Sequence, residues 1–204
     1  MPYIFDCSTC QTPCDGNTLG VYNFENDLEY SEHFEQEVIN DIIGRGWFAK
    51  KTDITVRPQY PDIEVYDKEG GTLKCFIEIK AQRRTFMGVA RKLPNSNLHP
   101  SETVALNQSD LEHYINQSRT ETVPIYVAWV LSNRPCIVPN GRTQMYYNTI
   151  NELERIFNTC GDSRRFRRRN GEGDVVNGQH RGVVVNYHFS LNELKPLNYD
   201  DILR

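Results

Sequence analysis

PDIEVYDKEGGTLKCFIEIKAQ, residues 61–82, contains two β-rich runs, 61–67 and 72–82, parted by Lys68, Glu69, Gly70 and Gly71. Adjacent glycines supply the positive φ that a tight turn needs, so the stretch reads as an antiparallel hairpin. If 68–71 form a four-residue loop, Asp67 faces Thr72 and Asp62 faces Ile77. Shifting the register by one residue sets Asp62 opposite Glu78, with Cβ atoms ~4.5–5.5 Å apart. In either register two carboxylates meet at the open end of the hairpin. Strand alternation puts Glu78 and Lys80 on one face and Ile77 and Ile79 on the other. Phe76 shares the face of Glu78 and Lys80, so the hairpin is expected to be covered on both sides. The plainer possibility is a solvated surface pair that catalyses nothing.

Working outward, Phe34, Val38, Ile39, Ile42 and Ile43 recur at helical spacing, with Ser31 as cap and Gly44 and Gly46 as stop, and predict a helix over 31–44. A strand region is expected from Trp47 through TDITVRP (52–58), and residues 83–106 read as a long basic connection. Ser109 caps a helix carrying Leu111, Tyr114 and Ile115. VPIYVAWVL (123–131) is a nearly continuous apolar run and predicts a central strand buried on both faces. Thr149 and Glu152 form a capping-box pattern for a helix over 149–158. Residues 161–178 read as a surface loop, RGVVVNYHF (181–189) as a late strand and SLNEL (190–194) as a short capped helix. This order predicts an α/β fold, a mixed central β-sheet flanked by helices.

At 204 residues the chain has room for one domain with a small appendage. We divide it into a loop-rich, cysteine-containing segment over 1–22 and a domain over 23–204. No apolar run approaches the ~20 residues of a membrane span, and the N-terminus does not resemble a secretory signal, so a cytoplasmic protein without membrane contact is expected. Net charge is -4, but residues 1–44 hold nine of the 27 acids and none of the 23 basic residues. Everything after them is net positive, and local potential governs the attraction of a polyanion.

Two carboxylates beside a lysine suggest a chemistry. A hard divalent cation takes oxygen ligands, here Asp62, Glu78 and the backbone carbonyl of Ile79, with room for water and a phosphate oxygen. Such an ion lowers the pKa of its water and neutralises charge on a phosphorane-like transition state. Lys80 would orient or deprotonate the attacking water, with a pKa depressed by the metal and by partial burial. Together these parts describe phosphodiester hydrolysis.

Pro61-Asp62, a spacer, then Glu78-Ile79-Lys80 resembles the signature of the PD-(D/E)xK nuclease superfamily, which includes restriction endonucleases and archaeal Holliday-junction resolvases. Upstream, Glu35-Gln36-Glu37-Val38 with Gly46 is similar to the first helix of the resolvases and its acidic residue. The likeness spans roughly residues 31–82. It implies a restriction-endonuclease-like core and a Mg²⁺-dependent DNA endonuclease, with Mn²⁺ able to substitute. It also implies Glu35 as a third metal-binding carboxylate, with Glu37 as the fallback. Restriction or processing of foreign or mobile DNA is the expected role. A structure-specific junction or repair nuclease is the first alternative, and a non-catalytic DNA-binding module of the same fold the second. Double-strand cleavage by one such domain implies a homodimer.

Arg83, Arg84, Arg91 and Lys92 follow the catalytic strand and are candidate phosphate contacts. Arg164, Arg165, Arg167, Arg168 and Arg169, interrupted by Phe166, form the densest basic run. The alternative for such a run is a solvated surface or a protein contact. Asn95, Asn97, His99 and Gln108 are candidate readers of base edges. Cys7, Cys10 and Cys14 have spacing compatible with zinc or an iron-sulfur cluster, with Cys136, Cys160 or a histidine as fourth ligand, or they are free thiols. Cys75 reads as a small buried hydrophobe.

Overall fold

The computed structural model describes residues 24–82, 85–132, 134, 136–138, 142–167, 175–176, 179–180 and 185–203. The segment 1–22 lies outside them, as do Cys7, Cys10, Cys14, Arg83, Arg84, Arg168 and Arg169.

Helix α1 spans Phe24–Gly44 and buries Phe34, Val38, Ile39 and Ile42. It starts seven residues before the expected cap at Ser31, because residues 24–30 contain no glycine or proline to stop it. It ends where Gly46, at φ +86°, lets Arg45 and Gly46 donate back to the carbonyls of Ile42 and Ile43. Strand β1 covers only Phe48–Lys51. The expected continuation through TDITVRP is instead a turn: Asp53 accepts from the amide and hydroxyl of Thr55, and Ile54 and Val56 stand more than 70% exposed. An aspartate side chain bonding its own backbone two residues on competes with the strand ladder.

The hairpin forms as expected, from β2 (Ile63–Tyr66) and β3 (Leu73–Gln82). Gly70 takes φ +66° in its turn, and Thr72 donates to the Asp67 carboxylate at 2.8 Å. Both candidate registers occur. Tyr66 pairs with Leu73 near the turn; beyond a bulge between Val65 and Tyr66, Val65 pairs with Cys75 and Ile63 with Ile77. The core end therefore keeps the phase that aims Asp62 at Glu78.

A short helix α2 (Val89–Lys92), strand β4 (Thr103–Asn107) and helix α3 (Gln108–Ser118) lead to β5 (Ile125–Leu131), which runs parallel to β3 and is buried at every residue. β6 (Gln144–Thr149) follows, then α4 (Ile150–Cys160), capped by the Thr149 side chain. A 3₁₀ helix (Gly161–Arg164), β7 (Arg165–Arg167), β8 (Val175–Val176), β9 (Gln179–His180), β10 (Val185–Ser190), β11 (Lys195–Pro196) and α5 (Tyr199–Ile202) follow, so the stretch 161–178 is not loop throughout. The SLNEL capping box is present, but it closes a single 3₁₀ turn over Leu191–Glu193.

The result is the expected α/β class with a mixed central sheet, ordered β1-β2-β3-β5-β6-β11. A second sheet, β4-β10-β7, was not foreseen. Its strand β4 lies in the stretch read as a connection, where TVALN is too short for alternation to stand out. β3 and β5 divide the core. Phe76, Val127 and Trp129 face α3, α4 and the second sheet, whereas Ile77, Ile79, Ala128 and Val130 face α1 and α5. Covered on both sides, the hairpin is not a solvated surface pair. Among the described residues no helix is long and apolar enough to cross a membrane.

Candidate active site

The antiparallel ladder of β2 and β3 stops at the pair Ile63 and Ile77. One residue further, the chain of β2 is replaced by a side chain: Asp62 Oδ2 accepts the Ile79 N–H at 2.8 Å. Thr52 secures this end, its amide donating to the Asp62 carbonyl at 2.8 Å and its hydroxyl to the Pro61 carbonyl at 2.5 Å. The carbonyl of Ile79 points to the same side of β3 as its N–H, toward Asp62.

Glu78 is 3% exposed. Its Oε1 lies 2.5 Å from Lys80 Nζ, and its Oε2 accepts from the Tyr114 hydroxyl at 2.7 Å. Lys80 also reaches Asp110 Oδ2 at 3.5 Å. Asp110 and Tyr114 sit one turn apart on α3, so a single helix face closes over Glu78 and Lys80. Glu35 of α1 lines the same cleft of about 400 Å³ as Asp62, Ile79, Lys80 and Gln82. Its side chain is 12% exposed and pairs with Lys51 Nζ at 2.9 Å. Glu37, the fallback, is 47% exposed and pairs with His33 on the outer face of α1, away from the lining of the cleft.

Electrostatics separate the two acids from the lysine. Burial, followed by the charge of Glu78, pushes the Asp62 carboxyl up to about 8, despite the opposing influence of Lys80. Lys80 is pulled two ways in the metal-free protein. Burial lowers its pKa, but Glu78, Asp110 and Asp62 together outweigh burial and raise it. Without a metal these acids hold Lys80 as a cation. Burial and the adjacent Glu78 raise the Tyr114 phenol as well, so Tyr114 stays a hydrogen-bond donor.

Among the described residues no cluster of three or more histidine, cysteine, aspartate or glutamate side chains is gathered as a metal site. The donor chemistry of the cleft nevertheless fits a hard divalent cation. Asp62 and Glu78 are oxygen donors crowded in a low-dielectric site, the Ile79 carbonyl faces the same way, and a cation relieves the repulsion that raises Asp62.

The basic candidates divide. Arg91 and Lys92 are exposed on α2, and Arg165 and Arg167 are exposed on β7. Arg164 is not available to a phosphate: it is 9% exposed and its guanidinium holds Glu193 at 2.5 Å. Gln108 is also turned inward, donating to Glu112 at 2.6 Å, whereas Asn95, Asn97 and His99 are exposed. Cys75 is fully buried, and burial pushes its thiol up to about 12; Cys136 and Cys160 are half-buried and in no disulfide among the described residues. Asp110, Tyr114 and Lys51 were missed. The i, i+4 spacing of Asp110 and Tyr114 was visible, but only the sheet topology shows that α3 crosses β3 at Glu78.

The chain is similar to the solved structure of a Holliday junction resolvase from the archaeal hyperthermophile Archaeoglobus fulgidus. Identity is 14%, the likeness covers 85% of this chain and 94% of that one, and the TM-score is 0.44. No protein-family model matches the sequence, and no curated protein matches it.

Proposed function

We propose that the protein is a divalent-metal-dependent DNA endonuclease of the PD-(D/E)xK type. The observation that carries this reading is the break in the hairpin ladder. There Asp62 takes the Ile79 N–H and lines one cleft with Lys80 and Glu35, while buried Glu78 pairs with Lys80 at 2.5 Å. Asp62, Glu78 and the Ile79 carbonyl would hold the metal, with Glu35 in reach of its water shell. When bound, the metal supplies charge neutralisation and a water of lowered pKa.

The chain's own residues do the rest. Lys80, held protonated by Glu78 and Asp110, donates hydrogen bonds to a phosphate oxygen or to the attacking water and so fixes its approach. Tyr114 keeps Glu78 in one rotamer, and Lys51 keeps Glu35 turned toward the cleft. The net-positive remainder of the chain attracts DNA, with Arg91, Lys92, Arg165 and Arg167 as phosphate contacts. A homodimer would cut both strands.

The direct test is to incubate the protein and its Asp62→Ala variant with plasmid, four-way junctions and single strands, in Mg²⁺, Mn²⁺ or EDTA. Discrete plasmid fragments requiring metal and Asp62 support a sequence-specific endonuclease. Cutting confined to junctions moves the reading to a structure-specific nuclease. Salt-dependent binding without cutting replaces both with a non-catalytic DNA-binding module.

A further inference from the structure

A second cavity of about 300 Å³ adjoins the catalytic cleft and shares Phe86 and Asn186 with it. The metal chemistry does not use this cavity. Val89 and Leu93 lie in its wall and belong to a small apolar cluster with Leu98, against which Phe86 and Phe166 pack. The rings are held rather than loose: Phe86 meets His188 edge-on at 4.9 Å, and Lys92 Nζ lies 4.3 Å from the centre of the Phe166 ring. His188 Nδ1 lies 3.1 Å from the Arg164 carbonyl. A carbonyl only accepts, so Nδ1 carries the proton and Nε2 remains an acceptor. Asn186, 8% exposed, adds an amide with both donor and acceptor, and Thr85 adds a hydroxyl. Burial keeps His188 neutral by lowering its pKa to about 4.

We propose that this cavity receives one unstacked nucleobase of the DNA strand whose phosphate lies in the adjoining cleft, a proposal that rests on the nuclease reading above. The Phe86 and Phe166 rings in its lining suit a base, Asn186 and His188 suit its polar edge, and exposed Lys92 suits a neighbouring backbone phosphate. An aliphatic side chain would leave those polar groups unmatched. The volume lies at the lower end of the roughly 300–1,000 Å³ typical of small-ligand sites. Phe86 and Asn186, as shared wall, make base and phosphate neighbours on one strand. A paired base cannot enter without leaving its stack, at a cost of a few kcal/mol that is least where the base is already unpaired. The substrate class is therefore a strand with an unpaired nucleotide beside the scissile phosphate.

The test measures binding in EDTA, where nothing is cut, to a perfect duplex and to the same duplex with one unpaired nucleotide. Wild type is expected to bind the second roughly tenfold or more tightly. Phe166→Ala and Phe166→Leu are expected to remove that preference, read as the ratio of the two affinities, the leucine keeping bulk without an aromatic face. Equal affinity for the two duplexes, or a preference that survives in Phe166→Leu, overturns the pocket. Cleavage of DNA by a protein with no such preference removes the pocket and leaves the nuclease. A preference with no cleavage under any metal removes the nuclease and leaves the pocket.

Discussion

Glu78 and Glu102 are equally buried, each 3% exposed, but they sit in different kinds of surroundings. Glu102 is surrounded by uncharged donors: the His99 amide at 3.1 Å, the Asn192 side chain at 2.7 Å and the Ser190 hydroxyl. Next to it Glu193 accepts from the Ser190 amide and from Arg164. The cluster ties β10 and the turn after it to the segment before β4. Glu78 instead meets a lysine and a phenol, with a second carboxylate, Asp62, close enough to be pushed toward neutrality. Donors that leave a carboxylate with nothing more to bind make it a fastener. Two carboxylates crowded beside a cleft leave room for a further cation, which is the environment the proposed function uses.

The largest expected effect is on turnover. Glu78→Gln keeps the volume and an oxygen for Tyr114 but removes the charge. DNA cleavage should fall by roughly 10²–10⁴-fold, while the urea midpoint moves little. Unchanged cleavage would break the contrast at its catalytic end. Glu102→Ala should do the reverse. It strands an amide, a hydroxyl and a carboxamide, and is expected to lower the free energy of unfolding by about 3 kcal/mol, with turnover per folded molecule retained. A variant as stable as wild type in urea would show that Glu102 fastens nothing.

The two regions also differ in the sign of their response to pH. His188, beside Arg164, is held in the fold near 4, below its ordinary 6.5, so the unfolded chain takes up the proton first. Its contribution is complete above about 6.5 and is lost as pH falls toward 4, by up to about 3 kcal/mol. His188→Gln should flatten that acid limb in urea titrations. Asp62, held near 8, binds its proton more tightly folded than unfolded, so in EDTA its ionisation erodes stability as pH rises from about 4 to about 8. Asp62→Asn should abolish that alkaline limb, and Mg²⁺ should counter it in the wild type. Melting curves across pH that slope the same way for both residues would refute the assignment. The smallest effect concerns Arg91, exposed on α2: Arg91→Ala should reduce the slope of log affinity against log salt by about one, with no change in which DNA is preferred.

The hairpin and its acids were legible because alternation, paired glycines and charge all concern neighbours in sequence. Asp62, Glu78 and Lys80 needed no more than a period of two. The buried run of β5 was legible for the same reason. Asp110, Tyr114 and Lys51 were not, since each meets its acid through a contact set by how α3 and α1 pack on the sheet. Lys80 follows the same rule in electrostatics: its neighbour Glu78 was visible, but Asp110, which helps to raise its pKa in the metal-free protein, was not. Arg164 looked like its basic neighbours in sequence, and only the return of Glu193 to that point distinguishes it.

The bulge between Val65 and Tyr66 has a consequence for engineering and for evolution. It uncouples the turn from the reacting end, because the phase of the hairpin near Asp62 is locked by the Ile63 and Ile77 pair inside the core. Residues 68–71 are thus a port: the tip can lengthen, shorten or carry a grafted reporter while Asp62 and Glu78 stay in step.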